Sequence, residues 1–169
     1  MASGGSGRSA PPEVDLEYDP KSLAGPLDPR EVEQAERFVG MRFDPDWTAH
    51  LARYNGGKPG KRNFDHGGNV KVVTRFLCIV PNFAGDREGH GAFDVRAVRI
   101  RIEDRLHDRL VPFVALYPGD YLCFDYAGPG RPRVVFWDHE KSRPGKPHTE
   151  PVADSFAAFL PMLHRAEGA

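Results

Sequence analysis

The sequence predicts an α+β fold in which helices pack against a central, mostly antiparallel or mixed β-sheet. Two early segments each begin with an Asp-Pro pair and continue with apolar residues at helical spacing. The middle of the chain carries β-branched and aromatic runs, two of which flank a Gly-Pro-Gly turn. Helices with one apolar face must pack on something larger, and the strand-rich middle supplies a sheet for them to cover.

The first helix is predicted to begin after Asp28, in the stretch LDPREVEQAERFVG. Aspartate is a favourable N-cap, proline suits the first helical position, and Glu31 stands where a capping-box acid belongs. Gly40 should end the helix, because glycine readily adopts the left-handed conformation of a helix terminus. The predicted buried face consists of Val32, Ala35, Phe38 and Val39.

The second helix is predicted from FDPDWTAHLARYNGG, where Asp44 caps the helix and Pro45 opens it. The sequence Asn-Gly-Gly at 55–57 should end it, because these residues tolerate left-handed backbone. Its apolar face consists of Trp47, Leu51 and Tyr54.

Strands are predicted at 69–80 and 110–117 from their β-branched and aromatic composition. The segments 120–127 and 131–138 flank the Gly-Pro-Gly turn and should form an antiparallel hairpin. Neither face of this hairpin is wholly polar, so we expect it to lie in the centre of the sheet with both faces covered.

Two later segments are also predicted to be helical. Asp94 should cap a helix over 95–109; a strand also fits its alternating residues, but the helical template explains more positions. Pro161 should kink the final helix, because proline lacks the backbone donor and clashes with the preceding turn. That helix has an apolar stripe made by Val152, Phe156, Phe159, Leu160 and Leu163.

The chain of 169 residues is predicted to form one domain over 27–165, preceded by a flexible arm at 1–26 that is rich in Gly, Ser and Pro. A formal net charge of −1 argues against nonspecific binding to nucleic acid or anionic membrane. The apolar runs are too short to span a bilayer, and the first residues lack the apolar core of a signal peptide. These observations predict a cytoplasmic protein.

Cys78 and Cys123 lie in strand-like apolar runs without a CxxC spacing. That pattern predicts two reduced, buried core thiols, and neither a disulfide framework nor a zinc site.

The segment WDHE places Asp138, His139 and Glu140 side by side, with Asp120 or Asp125 available from the neighbouring strand. Successive residues of an extended strand point to opposite faces, so these side chains are not expected to converge on one ion. The sequence also contains no nucleophile-elbow pattern and no phosphate-loop spacing. We therefore predict no catalytic residue, no bound metal and no cofactor.

The order of several motifs resembles the SUKH superfamily, in its cell-wall-regulator (Smi–Knr) branch. The resemblance covers roughly 28–163 and begins with the proline-opened helix that ends in Tyr-Asn-Gly-Gly, followed by Pro59. It continues through an apolar strand that leads by Gly-Asp into the hairpin. The matching residues there and in the closing strand and helix are Gly119, Asp120, Cys123, Asp125, Trp137, Asp138, His139, Glu140, Ala153, Ser155, Phe156, Phe159 and Leu160.

The resemblance implies a non-catalytic binding protein. Bacterial members of this family are mostly immunity proteins that bind and neutralise a cognate toxin, often a nuclease. If the toxin is a nuclease, acidic side chains would mimic phosphate and steer association. The acidic candidates for partner binding are Asp86, Glu88, Asp120, Asp138 and Glu140.

Two alternatives stay open at this point. The protein could be a regulatory scaffold that binds a cellular partner, or a metal-dependent hydrolase built on Asp138, His139 and Glu140. As part of the hairpin, Asp120 should instead end the turn after Gly119, and Asp125 should accept backbone or hydroxyl donors near the hairpin turn.

Overall fold

One antiparallel sheet of six strands forms the centre of the fold in the computed structural model, which describes residues 14–166. The strands follow one another in sequence order from edge to edge, so each pairs with its neighbour along the chain. They are β1 (Asn63–His66), β2 (Asn69–Phe76), β3 (Leu110–Tyr117), β4 (Tyr121–Asp125), β5 (Arg133–Trp137) and β6 (Thr149–Ala153). The predicted α+β class and antiparallel pairing are confirmed.

Helices cover both faces of this sheet. They are α1 (Pro29–Val39), α2 (Pro45–Arg53), α3 (Val95–Ile102) and α4 (Phe156–Phe159). On one face, an aromatic cluster joins α2 and α4 to the central strands, and its members are Trp47, Phe113, Phe124, Phe156 and Phe159. On the other face, the indole N–H of Trp137 donates to the carbonyl of Arg105, just beyond α3, at 3.0 Å. The predicted hairpin of β4 and β5 is therefore central and covered on both sides.

The first helix has the predicted ends but a different exposed face. The Asp28 carboxylate accepts a hydrogen bond from the backbone N–H of Arg30 at 2.9 Å, and Gly40 ends the helix with φ = 77°. Glu31 does not serve a capping box and instead pairs with Arg96 at 3.2 Å. Phe38 was predicted to be buried, but 49% of its surface is exposed, because its ring lies at the margin of the core.

Two strands appear where the sequence predicted other structure. β1 lies between α2 and β2, where no strand was predicted, and β6 includes Val152, which was assigned to the final helix. Pairing with β5 satisfies the backbone groups on one side of β6, and this outweighs the helical spacing of its apolar residues. The helix α4 begins only after Ser155, whose hydroxyl accepts from the N–H of Ala158 at 3.1 Å.

The proline in the final segment and the length of α3 also differ from prediction. Pro161 lies in a 3₁₀ turn (Leu160–Met162) that follows α4, so the helix stops instead of kinking. The helix α3 begins at the predicted cap, Asp94, but ends at Ile102 and continues as a 3₁₀ turn (Glu103–Arg105). The chain must extend soon afterwards, because β3 begins at Leu110.

The second half of the predicted arm packs against the domain. Leu16 is 2% exposed, and the Tyr18 ring stacks on the Tyr54 ring with 4.7 Å between centroids. Backbone hydrogen bonds also tie Asp19 and Ala24 to the segment that follows α2. Residues 1–13 lie outside the described residues, and the boundary of the arm at residue 26 remains a prediction.

The two edges of the sheet approach each other. His66 of β1 lies 3.2 Å from Glu150 of β6, between the Nε2 and Oε1 atoms. Asn63 of β1 also exchanges two backbone hydrogen bonds with His164, at 3.0 and 2.8 Å. The strong twist of antiparallel strands therefore curls the sheet until its edge strands are joined by side chains.

Both cysteines are buried and free, as predicted. Among residues 14–166, no helix is long and apolar enough to cross a bilayer.

His50 should make the stability of the fold depend on pH. Burial lowers the pKa of His50 from 6.5 to about 4, and its Nε2 lies 2.7 Å from the Tyr18 hydroxyl. The unfolded chain therefore binds this proton more readily than the folded chain. The contribution of His50 to the free energy of unfolding should be fully present above about pH 6.5. It should fall by about 3 kcal/mol as the pH drops to about 4.

The measurement is urea unfolding of the wild type and of His50→Gln across this pH window. The variant retains a side-chain acceptor for the Tyr18 hydroxyl but has no proton to gain. It should therefore lose less stability than the wild type between about pH 6.5 and about pH 4. Equal losses in the two proteins would show that His50 does not titrate in this way.

Candidate functional site

Asp120 joins the turn between β3 and β4 to the chain that leaves β5. Its side chain is 10% exposed. Its Oδ1 atom accepts a hydrogen bond from the backbone N–H of His139 at 2.9 Å and lies 2.7 Å from His139 Nδ1. The Arg105 guanidinium donates to the carbonyl of the same histidine at 3.3 Å. Asp120 therefore holds His139 in one orientation, a role that goes beyond ending the turn after Gly119.

Asp138 shapes the turn that follows β5. Its Oδ1 atom accepts from the backbone N–H groups of Glu140 and Lys141, at 2.9 and 3.0 Å. Partial burial favours the neutral carboxyl, but these hydrogen bonds outweigh burial and lower the pKa of Asp138. Its carboxylate is therefore charged near neutral pH and partly committed to the turn.

Asp120, Asp138 and His139 each bring a potential metal-ligand atom to one place. The three atoms lie within 4.8 Å of one another. The expectation that Asp138 and His139 diverge was wrong, because β5 ends at Trp137 and the alternation of a strand no longer applies beyond it. Glu140 is not in this group; its side chain is 81% exposed, and its Oε1 atom lies 4.0 Å from His139 Nε2.

Asp120→Ala should destabilise the protein by about 1–3 kcal/mol, because it removes the acceptor for a partly buried backbone N–H. The loss is measured by urea unfolding. Glu140→Ala is the matched control, since the exposed carboxylate of Glu140 should contribute less than about 0.5 kcal/mol. A similar effect of the two substitutions would contradict the holding role of Asp120.

The other two acidic candidates lie on a different loop. Asp86 and Glu88 are exposed in the segment before α3, and the Asp86 carboxylate accepts from the N–H of Gly91 at 3.3 Å. Within residues 14–166, no hydrogen bond or ion pair joins them to the residues around Asp120. The turn after β5 is mixed in charge, since Glu140 is followed by exposed Lys141, Arg143 and Lys146.

Asp125 takes the role predicted from the hairpin. Its Oδ1 atom accepts from the N–H of Ala127 at 2.9 Å, and its Oδ2 atom accepts from the Arg133 guanidinium at 3.2 Å. These contacts hold the two strands together beside the turn. The carboxylate is therefore structural.

Two cysteines and two serines that could in principle act as nucleophiles have structural roles. Burial raises the pKa of the Cys78 thiol to about 12 and raises that of Cys123 further, so both remain protonated. The Ser142 hydroxyl accepts from the N–H of His148 at 2.9 Å, and Ser155 caps α4. Nucleophilic catalysis needs an activated group beside a base, and none of these four meets that requirement.

An open part of one sheet face carries exposed apolar side chains that the sequence did not single out. Tyr117 is 72% exposed and Val70 is 55% exposed, and Val72 pairs with Tyr117 between β2 and β3. Tyr121, which pairs with Ala115, extends the same face onto β4. We refer to Val70, Val72, Tyr117 and Tyr121 as the open sheet face. The sequence offered a partial signal, since Val70 and Val72 lie two residues apart on β2 and therefore point to the same side of the sheet.

Comparison with known proteins identifies the family. A family model described as SUKH_6, SMI1-KNR4 cell-wall, matches residues 29–160. The chain belongs to this SUKH family. The match extends from the start of α1 to the end of α4, so it includes the whole sheet and the Asp120–His139 contact. No curated protein matched the SUKH chain.

Proposed function

We propose that this SUKH protein is a non-catalytic immunity protein that binds and neutralises a cognate bacterial toxin in the cytoplasm. The observation that carries the proposal is the open sheet face. Tyr117 and Val70 are its most exposed members, and both leave apolar surface in contact with water. Family membership supports binding over catalysis, as do the structural roles of Cys78, Cys123, Ser142 and Ser155.

The open sheet face has the composition of a binding hot spot in a protein interface. Tyrosine is enriched at such hot spots because it buries a large apolar ring and keeps a hydroxyl for hydrogen bonding. Strands and a short turn fix the backbone at Tyr117, so little ordering would be needed on binding. Asp138 and Glu140, beyond the end of β5, would contribute charge at the rim.

Co-expression tests the proposal directly. The product of the adjacent gene should be toxic when expressed alone, harmless with this protein, and retained on the tagged protein in a pull-down. Tyr117→Ala should weaken the complex by about 2 kcal/mol, measured by calorimetry, whereas Arg133→Ala on the hairpin should leave it nearly unchanged. If the product of the adjacent gene is harmless and forms no complex with this protein, the immunity function is excluded. A tight complex with a harmless neighbour would favour the regulatory scaffold.

A metal-dependent hydrolase is the second candidate, and the convergence of Asp120, Asp138 and His139 favours it. One histidine and two carboxylates suit zinc or manganese. Equilibrium dialysis against Zn²⁺ and Mn²⁺ tests this function. One tightly retained ion per chain in the wild type, and none in His139→Ala, would favour the hydrolase. Equal retention by the two proteins would remove this site from consideration.

A further inference from the structure

A groove lies between α3 and the segment that precedes it, on a part of the surface that none of the roles above uses. Its volume is about 350 Å³, which is at the small end of the range for binding pockets. The groove can hold one or two side chains of a partner. Its lining consists of Phe83, Ala84, Arg87, Gly91, Ala92, Ala97, Ile100 and Arg101.

The wall at Phe83 is held in place from two sides. The Arg96 guanidinium lies over the Phe83 ring at 4.4 Å from its centroid, and buried contacts with Asp94 fix this arginine in turn. The Phe38 ring meets the Phe83 ring edge-on at 6.1 Å. At Gly91, an added Cβ would lie 2.4 Å from the carbonyl of Phe83, so the loop is closely packed. The groove is therefore formed before any partner arrives.

The rim and margin of the groove are apolar and exposed. Ile100 is 47% exposed on α3, and Phe38 is 49% exposed on α1 beside Phe83. Burying these two side chains against a partner would remove apolar surface from water, which is favourable. An apolar anchor is therefore the first requirement of a ligand.

The charged residues that line the groove are all positively charged. The lining contains two arginines, Arg87 and Arg101, and no carboxylate. Within residues 14–166 neither arginine forms an ion pair, although Arg101 donates to the carbonyl of Ala92 at 2.9 Å. The nearby Asp86 carboxylate accepts from the N–H of Gly91 and does not line the groove. A carboxylate beside the anchor is therefore the second requirement, because arginine binds carboxylates in well-defined geometry.

We propose that this groove binds an acidic, apolar segment of a partner protein, with a leucine or phenylalanine in the groove and an adjacent Asp or Glu on Arg87 and Arg101. The proposal concerns the ligand class of one surface, and it applies to a toxin or a cellular partner alike. A nucleic acid fits less well, because two arginines beside aliphatic side chains offer neither a basic track nor a stacking platform.

An NMR titration of the ¹⁵N-labelled full chain tests the proposal without a toxin. The probe is acetyl-Asp-Leu-Phe-Glu-amide. The controls are acetyl-Lys-Leu-Phe-Lys-amide and an oligothymidylate. The acidic peptide should produce saturable shifts at the backbone amides of Ala84, Ala92, Ala97 and Ile100, and added salt should weaken its binding. Absence of saturable shifts, or equal binding of either control, would overturn the proposal.

Charge reversal locates the binding. Arg87→Glu should lower the affinity for the acidic peptide about tenfold, because it replaces electrostatic attraction by repulsion at the rim of the groove. Arg87 makes no hydrogen bond within residues 14–166, so this variant should keep the wild-type spectrum elsewhere. Lys146→Glu is the control, because it makes the same charge reversal at an exposed side chain in the turn after β5, and it should bind the peptide unchanged. Unaltered affinity in Arg87→Glu would contradict the proposal.

Two further measurements test whether something other than the partner segment occupies the groove. Sedimentation should show a monomer at the concentrations used. A dimer that Ile100→Lys dissociates would mean that a second copy covers the groove, and it would overturn the proposal. The proposal would also be overturned if the peptide bound only after deletion of residues 1–13.

Discussion

Asp94→Ala should lower the free energy of unfolding by about 3–5 kcal/mol, because it leaves a buried arginine without its closest charge partner. Asp94 is completely buried, and its carboxylate accepts from the backbone N–H groups of Val80 and Arg96 at 2.9 and 2.8 Å. The same carboxylate accepts two hydrogen bonds from the Arg96 guanidinium, each at 3.0 Å. Its loss would remove the cap of α3 and a buried ion pair together.

The size of this effect is measured by urea unfolding of single and double variants. Glu31→Ala is the first comparison; Glu31 also pairs with Arg96, but it is more exposed and should matter less. The second is Asp94→Ala combined with Arg96→Met, which removes the unpaired charge and should recover part of the loss. A loss below about 1 kcal/mol for Asp94→Ala would show that water enters and solvates the arginine.

Trp137→Ala should cost about 3–5 kcal/mol, because it leaves a large cavity in a close-packed layer. Trp137 is 0% exposed. Its indole N–H donates to the carbonyl of Arg105, whose guanidinium lies 5.1 Å from the ring centroid. The side chain therefore fixes the end of β5 to the turn that follows α3.

Phenylalanine at position 137 separates volume from hydrogen bonding. Trp137→Phe keeps an aromatic ring but loses the donor to Arg105, so it should cost less than Trp137→Ala. Both variants are compared with the wild type by urea and by thermal unfolding. A stability loss below about 1 kcal/mol for Trp137→Ala would contradict the role of this side chain in the core.

The capped helices and the central hairpin could be predicted because their signals are local. An Asp-Pro pair, a glycine terminus or a Gly-Pro-Gly turn acts within a few residues of itself. The edge strands gave no comparable signal: β1 has four residues beside two glycines, and β6 contains Pro151. Their pairing depends on neighbours that lie elsewhere in the sequence.

The site depended on contacts that no local pattern contains. Asp120 and His139 are 19 residues apart, and they meet because a turn and a strand end lie side by side. The alternation rule failed for Asp138 because it was applied one residue beyond the end of β5. Phe38 shows a similar limit. Helical spacing identifies an apolar face, but it does not show how far neighbouring elements cover that face.

The closed edges of the sheet restrict how this chain can associate. Bridging to His164 occupies part of β1, and Pro151 removes one backbone donor from β6. Exposed edge strands are where the sheets of two chains pair edge to edge and grow into fibres. Both edges are partly obstructed, so pairing between the sheets of two chains is disfavoured, and we expect a partner to bind through side chains instead of by adding a strand.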